Sequence, residues 1–125
     1  DIIEFKAADM VELVANGIIT NEKTIQDNPE LVRALVTATL KGIEYTSQHP
    51  EEAFEICKKY VENLAEADQE VQMQVLLSSI NLWQADRMGY SEPAAWENMQ
   101  RILLQMGLLK IELDLTAAYD NSFIP

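Results

Sequence analysis

The chain has 125 residues, of which 48% are hydrophobic, and its 21 acidic and nine basic residues give a formal net charge of −12. This apolar fraction is ample for a folded core, whereas the negative charge disfavours binding to nucleic-acid backbones and to anionic lipid surfaces. The single cysteine, Cys57, excludes an internal disulfide and a cysteine-rich zinc site. No run of about 18 apolar residues, the length that a membrane-spanning helix needs, is present.

The first 20 residues predict two short strands. Apolar residues at positions 2–5 make one candidate, and residues 12–20 make a second, with a kink or bulge at Asn16-Gly17. Because two strands form no stable sheet of their own, we expect their partners in a longer chain or in a second copy.

Three helices are predicted in the first half of the helical part. A short helix after residue 20 has Thr20 or Asn21 as its N-cap. The next two helices begin at Pro29, which Asn28 precedes as a cap, and at Pro50, since proline and a following glutamate favour the first helical turn. The inner face of the helix from Pro50 is predicted to comprise Ala53, Cys57, Tyr60, Val61 and Leu64.

Two longer helices and a tail complete the chain. The first of these helices extends from about residue 68 to residue 87, and its wide apolar stripe predicts burial on two sides. The second begins at Ser91 and ends at Gly107, which we expect in the left-handed conformation. An extended segment with a turn around residues 116–119 follows.

Candidate binding residues lie in the loop before the helices. Asn16 offers a donor and an acceptor, and Gly17 allows a ligand to approach the backbone closely. Asp9 and Glu12 lie beside them and could bind a cationic or amine group, although a strand bulge with solvated carboxylates is an equally simple interpretation. Trp83, near the end of its helix, is an aromatic candidate for the border of a cleft.

Catalytic and metal-binding patterns are weak in this sequence. His49 is the only histidine, which excludes a di-iron bundle with two Glu-x-x-His pairs. The glutamates 51, 52 and 55 are typical of a helix N-terminal turn rather than of opposed catalytic carboxylates. Motifs for nucleotide binding or for a serine nucleophile are absent, so we predict no enzymatic activity and no cofactor.

Several segments resemble the second lobe of solute-binding proteins of the NMT1/THI5-like family. The resemblance covers about residues 9–125, and its order and spacing are more specific than any single motif. The matching segments are "NGIITNEKTI", "NPELVRALVTATLKGIEYT", "HPEEA", "SSINLW", "AAWENMQRILLQMGLL" and "LTAAYDNSFIP".

The resemblance implies an α/β, type II periplasmic-binding-protein-like fold with two lobes and a solute bound between them. As an isolated chain, the segment would be mostly α with two or three short strands. Family members serve ABC importers for thiamine-pyrimidine precursors, riboflavin, nitrate, taurine or sulfonates. The implied partners are a small solute and an ABC permease. The implied location is periplasmic or extracellular, with membrane association only through the permease or a lipid anchor outside this segment.

Under this resemblance the chain divides into three parts. Residues 1–20 would hold hinge strands and the cleft loop, residues 21–107 the helical region, and residues 108–125 the extended tail. The ligand-binding set carried over is Asn16, Gly17, Glu12 and Asp9, to which we add Trp83.

Two other interpretations remain open at this point. One is a self-associating helical interaction module, and we expect the isolated segment to form a homodimer through its open strand edges and apolar faces. The other is the family branch that makes the thiamine pyrimidine from its own histidine. That chemistry resides in first-lobe histidine and cysteine-rich motifs, and His49 and Cys57 match neither.

Overall fold

Five α-helices and two short 3₁₀ helices form the regular structure in the computed structural model, which describes residues 10–125. The α-helices are α1 (Glu22–Asp27), α2 (Pro29–Gln48), α3 (Pro50–Cys57), α4 (Gln69–Leu82) and α5 (Pro93–Gln105). The 3₁₀ helices are Leu115–Ala117 and Asn121–Phe123, both in the C-terminal tail. Consecutive helices α1 to α3 pack on each other, and α4 packs on α3.

The predicted strand over residues 12–20 is wrong, because residues 10–125 contain no β-strand. Its β-branched residues find no partner strand, and the Ile19 side chain is 94% exposed. The other predicted strand, at positions 2–5, lies outside the described residues. Over residues 10–125 the segment is therefore helical, without the strands expected of the isolated chain.

The starts of α1, α2 and α3 follow the predicted signals, with one difference at Asn28, whereas α5 begins at Pro93 and not at the predicted Ser91. Asn21 caps α1, since its Oδ1 accepts from the Thr24 backbone N–H at 2.8 Å. Pro29 and Pro50 begin α2 and α3 as expected. Asn28 occupies the N-cap position of α2, but its side chain forms no capping hydrogen bond.

Helix α4 ends at Leu82, short of the predicted residue 87. The Gln84 side chain donates at 3.2 Å to the Ile80 carbonyl, which also accepts from the Trp83 N–H at the end of the helix. Residues 83–92 then form an irregular connection, with a turn closed by the Tyr90 N–H on the Arg87 carbonyl at 3.2 Å.

Helix α5 ends as predicted, at a left-handed glycine. Gly107 has φ +71°, and the Leu108 N–H donates to the Leu103 carbonyl at 3.0 Å. With the Gly107 N–H on the Leu104 carbonyl, this is a Schellman motif.

The core of the described region is small. Its buried apolar side chains come from four α-helices and the tail, namely Val32, Ala53, Phe54, Ile80, Ala95 and Phe123. Of the face predicted for α3, Ala53 is buried, whereas Cys57, Tyr60 and Val61 are exposed because the helix ends at Cys57 and the chain then turns.

Two-sided burial of α4 is also a wrong prediction within residues 10–125. Ile80 is the buried residue of this helix, and Val71, Val75 and Leu82 are exposed. The reason is that α4 has α3 on one side and no comparable packing from the other helices on its opposite face.

Candidate functional site

The loop that carries most of the predicted binding residues is fastened to α5. The Asn98 side-chain Nδ2 donates to the Glu12 backbone carbonyl at 3.1 Å, across 86 residues of sequence. Val11, Leu13 and Val14 are half-buried, whereas the Glu12 side chain is exposed. The loop backbone is thus held on α5, and the Glu12 side chain is exposed.

Asn16 and Gly17 lie in the exposed part of this loop. A Cβ added at Gly17 would meet no atom within 4 Å, so packing in the described region does not require a glycine there. Among the described residues, the space beside Gly17 is therefore open. Asp9, the remaining predicted loop residue, lies outside the described residues.

Trp83 is the C-cap residue of α4 and is half-buried. It opens the 83–92 connection, so its predicted position at a helix end is confirmed. The two candidate regions, the loop around Glu12 and the connection that begins at Trp83, are held by different elements. The Glu12 loop is hydrogen-bonded to α5, and the 83–92 connection is hydrogen-bonded to the tail.

The middle of the 83–92 connection lies against α2. Gly89 has φ +79°, and a Cβ there would come within 2.8 Å of the Leu40 Cδ2 atom. The left-handed backbone conformation favours glycine at this position, and a Cβ there would also displace the end of the Leu40 side chain.

The end of the connection is bonded to the tail by a pair of reciprocal hydrogen bonds. The Ser91 N–H donates to the Asn121 Oδ1 at 2.9 Å, and the Asn121 Nδ2 donates to the Ser91 carbonyl at 3.0 Å. A single amide side chain thereby satisfies both backbone groups of one residue, in the way a neighbouring strand would.

The two residues after Asn121 hold the tail on α2. The Arg33 Nη1 donates to the Ser122 carbonyl at 2.8 Å, and the Arg33 guanidinium lies 5.3 Å from the centroid of the Phe123 ring. Phe123 is buried. We call residues Asn121–Phe123 the C-terminal clasp. Sequence reasoning missed it, and the Asp-Asn-Ser run that favours a local turn was the one available signal.

Further contacts join the tail to α5. The Trp96 and Tyr119 rings stack with centroids 5.5 Å apart and an interplanar angle of 15°. The Leu113 N–H donates to the Gln100 Oε1 at 2.7 Å. The Trp96 Nε1 is buried and has no acceptor among the described residues. The predicted extended tail is consequently joined to α2 and α5, although its Leu108, Ile111 and Leu113 side chains are exposed.

Two tail carboxylates have lowered pKa values. The Thr116 hydroxyl and backbone N–H lower the pKa of Asp114, and the Ser122 backbone N–H is the main cause that lowers the pKa of Asp120. Both carboxylates therefore stay ionised to a lower pH than an ordinary aspartate does, because hydrogen bonds to the charged form favour that form.

His49 lies between α2 and α3, next to an aromatic ring. Its ring lies 4.8 Å from that of Tyr45, whose pKa is raised mainly by the neighbouring Glu52 carboxylate. Within residues 10–125 no group of three acidic, histidine or cysteine side chains could hold a metal ion. None of the helices in that range combines the length and apolar character that crossing a bilayer requires.

Comparison with known proteins supports the resemblance seen in the sequence. A family model described as NMT1/THI5 like matches residues 1–53. The chain is 36% identical over 124 residues to the riboflavin-binding protein RibY of Chloroflexus aurantiacus, an alignment that covers 95% of this chain and 35% of that protein. Residues 1–53 thus match the NMT1/THI5-like family, and this family has a periplasmic-binding-protein-like fold.

A second relative is named as an enzyme and not as a binding protein. The chain is 29% identical over 109 residues to the 4-amino-5-hydroxymethyl-2-methylpyrimidine phosphate synthase of Legionella pneumophila, covering 86% of this chain and 32% of that protein. The chain spans about a third of the length of these two relatives. No solved structure matches it.

Proposed function

We propose that this chain is part of the substrate-binding component of an ABC importer, which binds a small polar solute between two lobes. The observation that carries the proposal is the alignment of nearly the whole chain with a riboflavin-binding protein. The component would act outside the cytoplasm and deliver the solute to a permease without changing it chemically.

The solute would meet the loop and helix end described above. Asn16 would supply hydrogen bonds from an exposed amide, and Gly17 would leave room for the ligand beside the backbone. Glu12 and Asp9 would favour a cationic or amine group, and Trp83 would provide an aromatic border. The open surroundings of Gly17 and the bond that holds the loop to α5 support this assignment.

The test is isothermal titration of the full-length protein that contains this chain. Riboflavin, 4-amino-5-hydroxymethyl-2-methylpyrimidine, taurine and nitrate form the panel. We expect one of them to bind with a Kd in the micromolar range or below, and Asn16→Ala to weaken that binding by about tenfold, the scale of one lost hydrogen bond to a ligand. Gln74→Ala, an exposed amide change on α4, serves as the control and should leave the Kd unchanged.

Each outcome of this titration has a definite meaning. Failure to bind any member of the panel would contradict the solute-binding function. Binding that Asn16→Ala leaves unchanged would contradict the site but not the function. Chromatography of the recovered solute separates transport from catalysis, because a changed solute would indicate an enzyme like the Legionella relative.

The second candidate is a self-associating helical module, which the exposed apolar side chains of α4 favour. It predicts that the full-length protein forms a stable dimer in sedimentation and binds no solute of the panel.

A further inference from the structure

We propose that Asn98 is a positioning residue for solute binding, which acts by fixing the loop that carries Glu12, Asn16 and Gly17. This inference rests on the proposed function, because that loop is taken there as one side of the solute site. Asn98 belongs to α5 and contacts the loop directly, through the backbone of Glu12. Its effect on the solute is therefore exerted through the loop and not by contact with the solute.

The Asn98 bond gives the loop its direction relative to the helices. The Asn98 Nδ2 donates to the Glu12 carbonyl at 3.1 Å, and within residues 10–125 no other hydrogen bond joins residues 10–20 to a later helix or to the tail. The remaining hold on the loop is apolar, since Val11, Leu13 and Val14 are half-buried. Apolar contacts are not directional, so the loss of this one bond leaves the Glu12 backbone without a directional restraint from α5.

Arg101 sets the orientation of the Asn98 amide. The Arg101 Nη2 donates to the Asn98 Oδ1 at 3.0 Å, from a position three residues later on the same helix. Because a guanidinium only donates hydrogen bonds, it requires the amide oxygen on its own side, which turns the Nδ2 towards the Glu12 carbonyl. Helix α5 thus presents an oriented donor to the loop.

Asn16 and Gly17 lie midway between two held points of the chain. At one end Glu12 is bonded to α5, and at the other end the Asn21 Oδ1 accepts from the Thr24 N–H at 2.8 Å, where α1 begins. A segment held at both ends has fewer backbone conformations, so it loses less entropy when a solute orders it. Release of the loop at Glu12 increases that loss and weakens binding.

The first experiment measures the Kd of full-length Asn98 variants for the panel solute that the wild type binds. Asn98→Asp keeps the acceptor for Arg101 and nearly the same shape, but replaces the donor that faces Glu12 with an acceptor. Asn98→Ala removes the donor without adding a charge. Both should raise the Kd by about three- to tenfold, the scale of one hydrogen bond.

Gln100→Ala is the matched control on the same helix. It also removes a hydrogen bond between a side-chain amide of α5 and a backbone group, because the Gln100 Oε1 accepts from the Leu113 N–H at 2.7 Å. That bond goes to the tail and not to the loop, so the control should change the Kd by less than about twofold.

A combined variant tests whether Asn98 acts through the loop. When Glu12→Ala and Asn16→Ala are both present, Asn98→Asp should have little further effect, because the side chains that it positions are gone. Wild-type affinity in both Asn98 variants, or an undiminished effect in the combined variant, would overturn the proposal while the solute-binding function stands. If the wild-type protein binds no member of the panel, the proposed function fails and this inference fails with it.

The second experiment separates positioning from general stability, by NMR relaxation of backbone amides in the same full-length proteins without solute. We expect the order parameters of residues 12–17 to fall in both Asn98 variants and to stay unchanged in Gln100→Ala. A loss of order spread over all helices would show that Asn98 merely stabilises the fold. Unchanged order in residues 12–17 would show that Asn98 does not hold the loop, and either result would overturn the proposal.

Discussion

Gly89 shows at the scale of one residue how a backbone angle and a close contact act together. We predict that Gly89→Ala lowers the free energy of unfolding by about 1–2 kcal/mol, the cost of a left-handed alanine. The new Cβ would lie 2.8 Å from the Leu40 Cδ2 atom, so the Leu40 side chain would have to move as well. Urea unfolding followed by circular dichroism measures the effect.

A matched control for this substitution lies in α2. Gly42 has an ordinary helical conformation, and a Cβ there would meet no atom within 4 Å. Gly42→Ala should therefore stabilise the protein by about 0.5–1 kcal/mol, because alanine loses less entropy in a helix. Equal effects of the two substitutions would contradict the role assigned to Gly89.

Asp120 gives a pH-dependent prediction at the same scale. Its carboxylate accepts from the Ser122 N–H at 2.8 Å, which lowers its pKa below the ordinary 3.8. A lowered pKa in the folded state stabilises the protein above pH 3.8, and this contribution is lost as the pH falls through the folded pKa. Asp120→Asn should thus cost about 0.5 kcal/mol at pH 7, the size of a solvent-screened interaction.

The control for Asp120→Asn is the effect of the same substitution on stability at low pH. In urea titrations the difference between wild type and variant should shrink as the pH falls below 3.8. A difference that stays the same from pH 7 to pH 3 would show that the charge of Asp120 does not contribute.

The N-termini of α4 and α2 allow a test at the scale of the element. The Asp68 carboxylate caps α4 by accepting from the Glu70 and Val71 N–H groups at 3.1 and 3.2 Å. We predict that Asp68→Ala costs about 1 kcal/mol of stability and that Asp68→Asn restores most of it. Asn28→Ala at the start of α2 should cost less than about 0.5 kcal/mol, because the Asn28 side chain forms no capping bond. Unfolding curves that rank Asn28→Ala as the more damaging change would reject the assigned caps.

At the scale of the whole molecule, burial is low for a chain of this composition. Six apolar side chains are buried in the described region, whereas seventeen large hydrophobic side chains are between 37% and 94% exposed. Exposed apolar surface of this extent favours association, so we predict that the isolated 125-residue chain self-associates. Static light scattering over a range of concentrations checks this, and a monomeric mass throughout would refute it.

The sequence by itself determined the order of the helices, the starts of α1, α2 and α3 and the resemblance to a family. Proline at a first helical position, an asparagine cap at Asn21 and the glycine at 107 are local signals, because each acts on backbone groups within one turn. The ordered segments that resemble the NMT1/THI5-like family are likewise a property of the sequence, and the matches to the family model and to RibY confirm them.

Only the tertiary structure decided that residues 12–20 form no strand, which faces of α3 and α4 are buried, and that the C-terminal clasp forms. A strand depends on a partner, which residues 12–20 do not find within residues 10–125, and the burial of an apolar face depends on what packs against it. The Asn121–Ser91 and Arg33–Ser122 bonds join groups 30 and 89 residues apart. Such pairings leave no periodic signal in either segment, so the sequence could place Trp83 at a helix end but could not show what holds the connection after it.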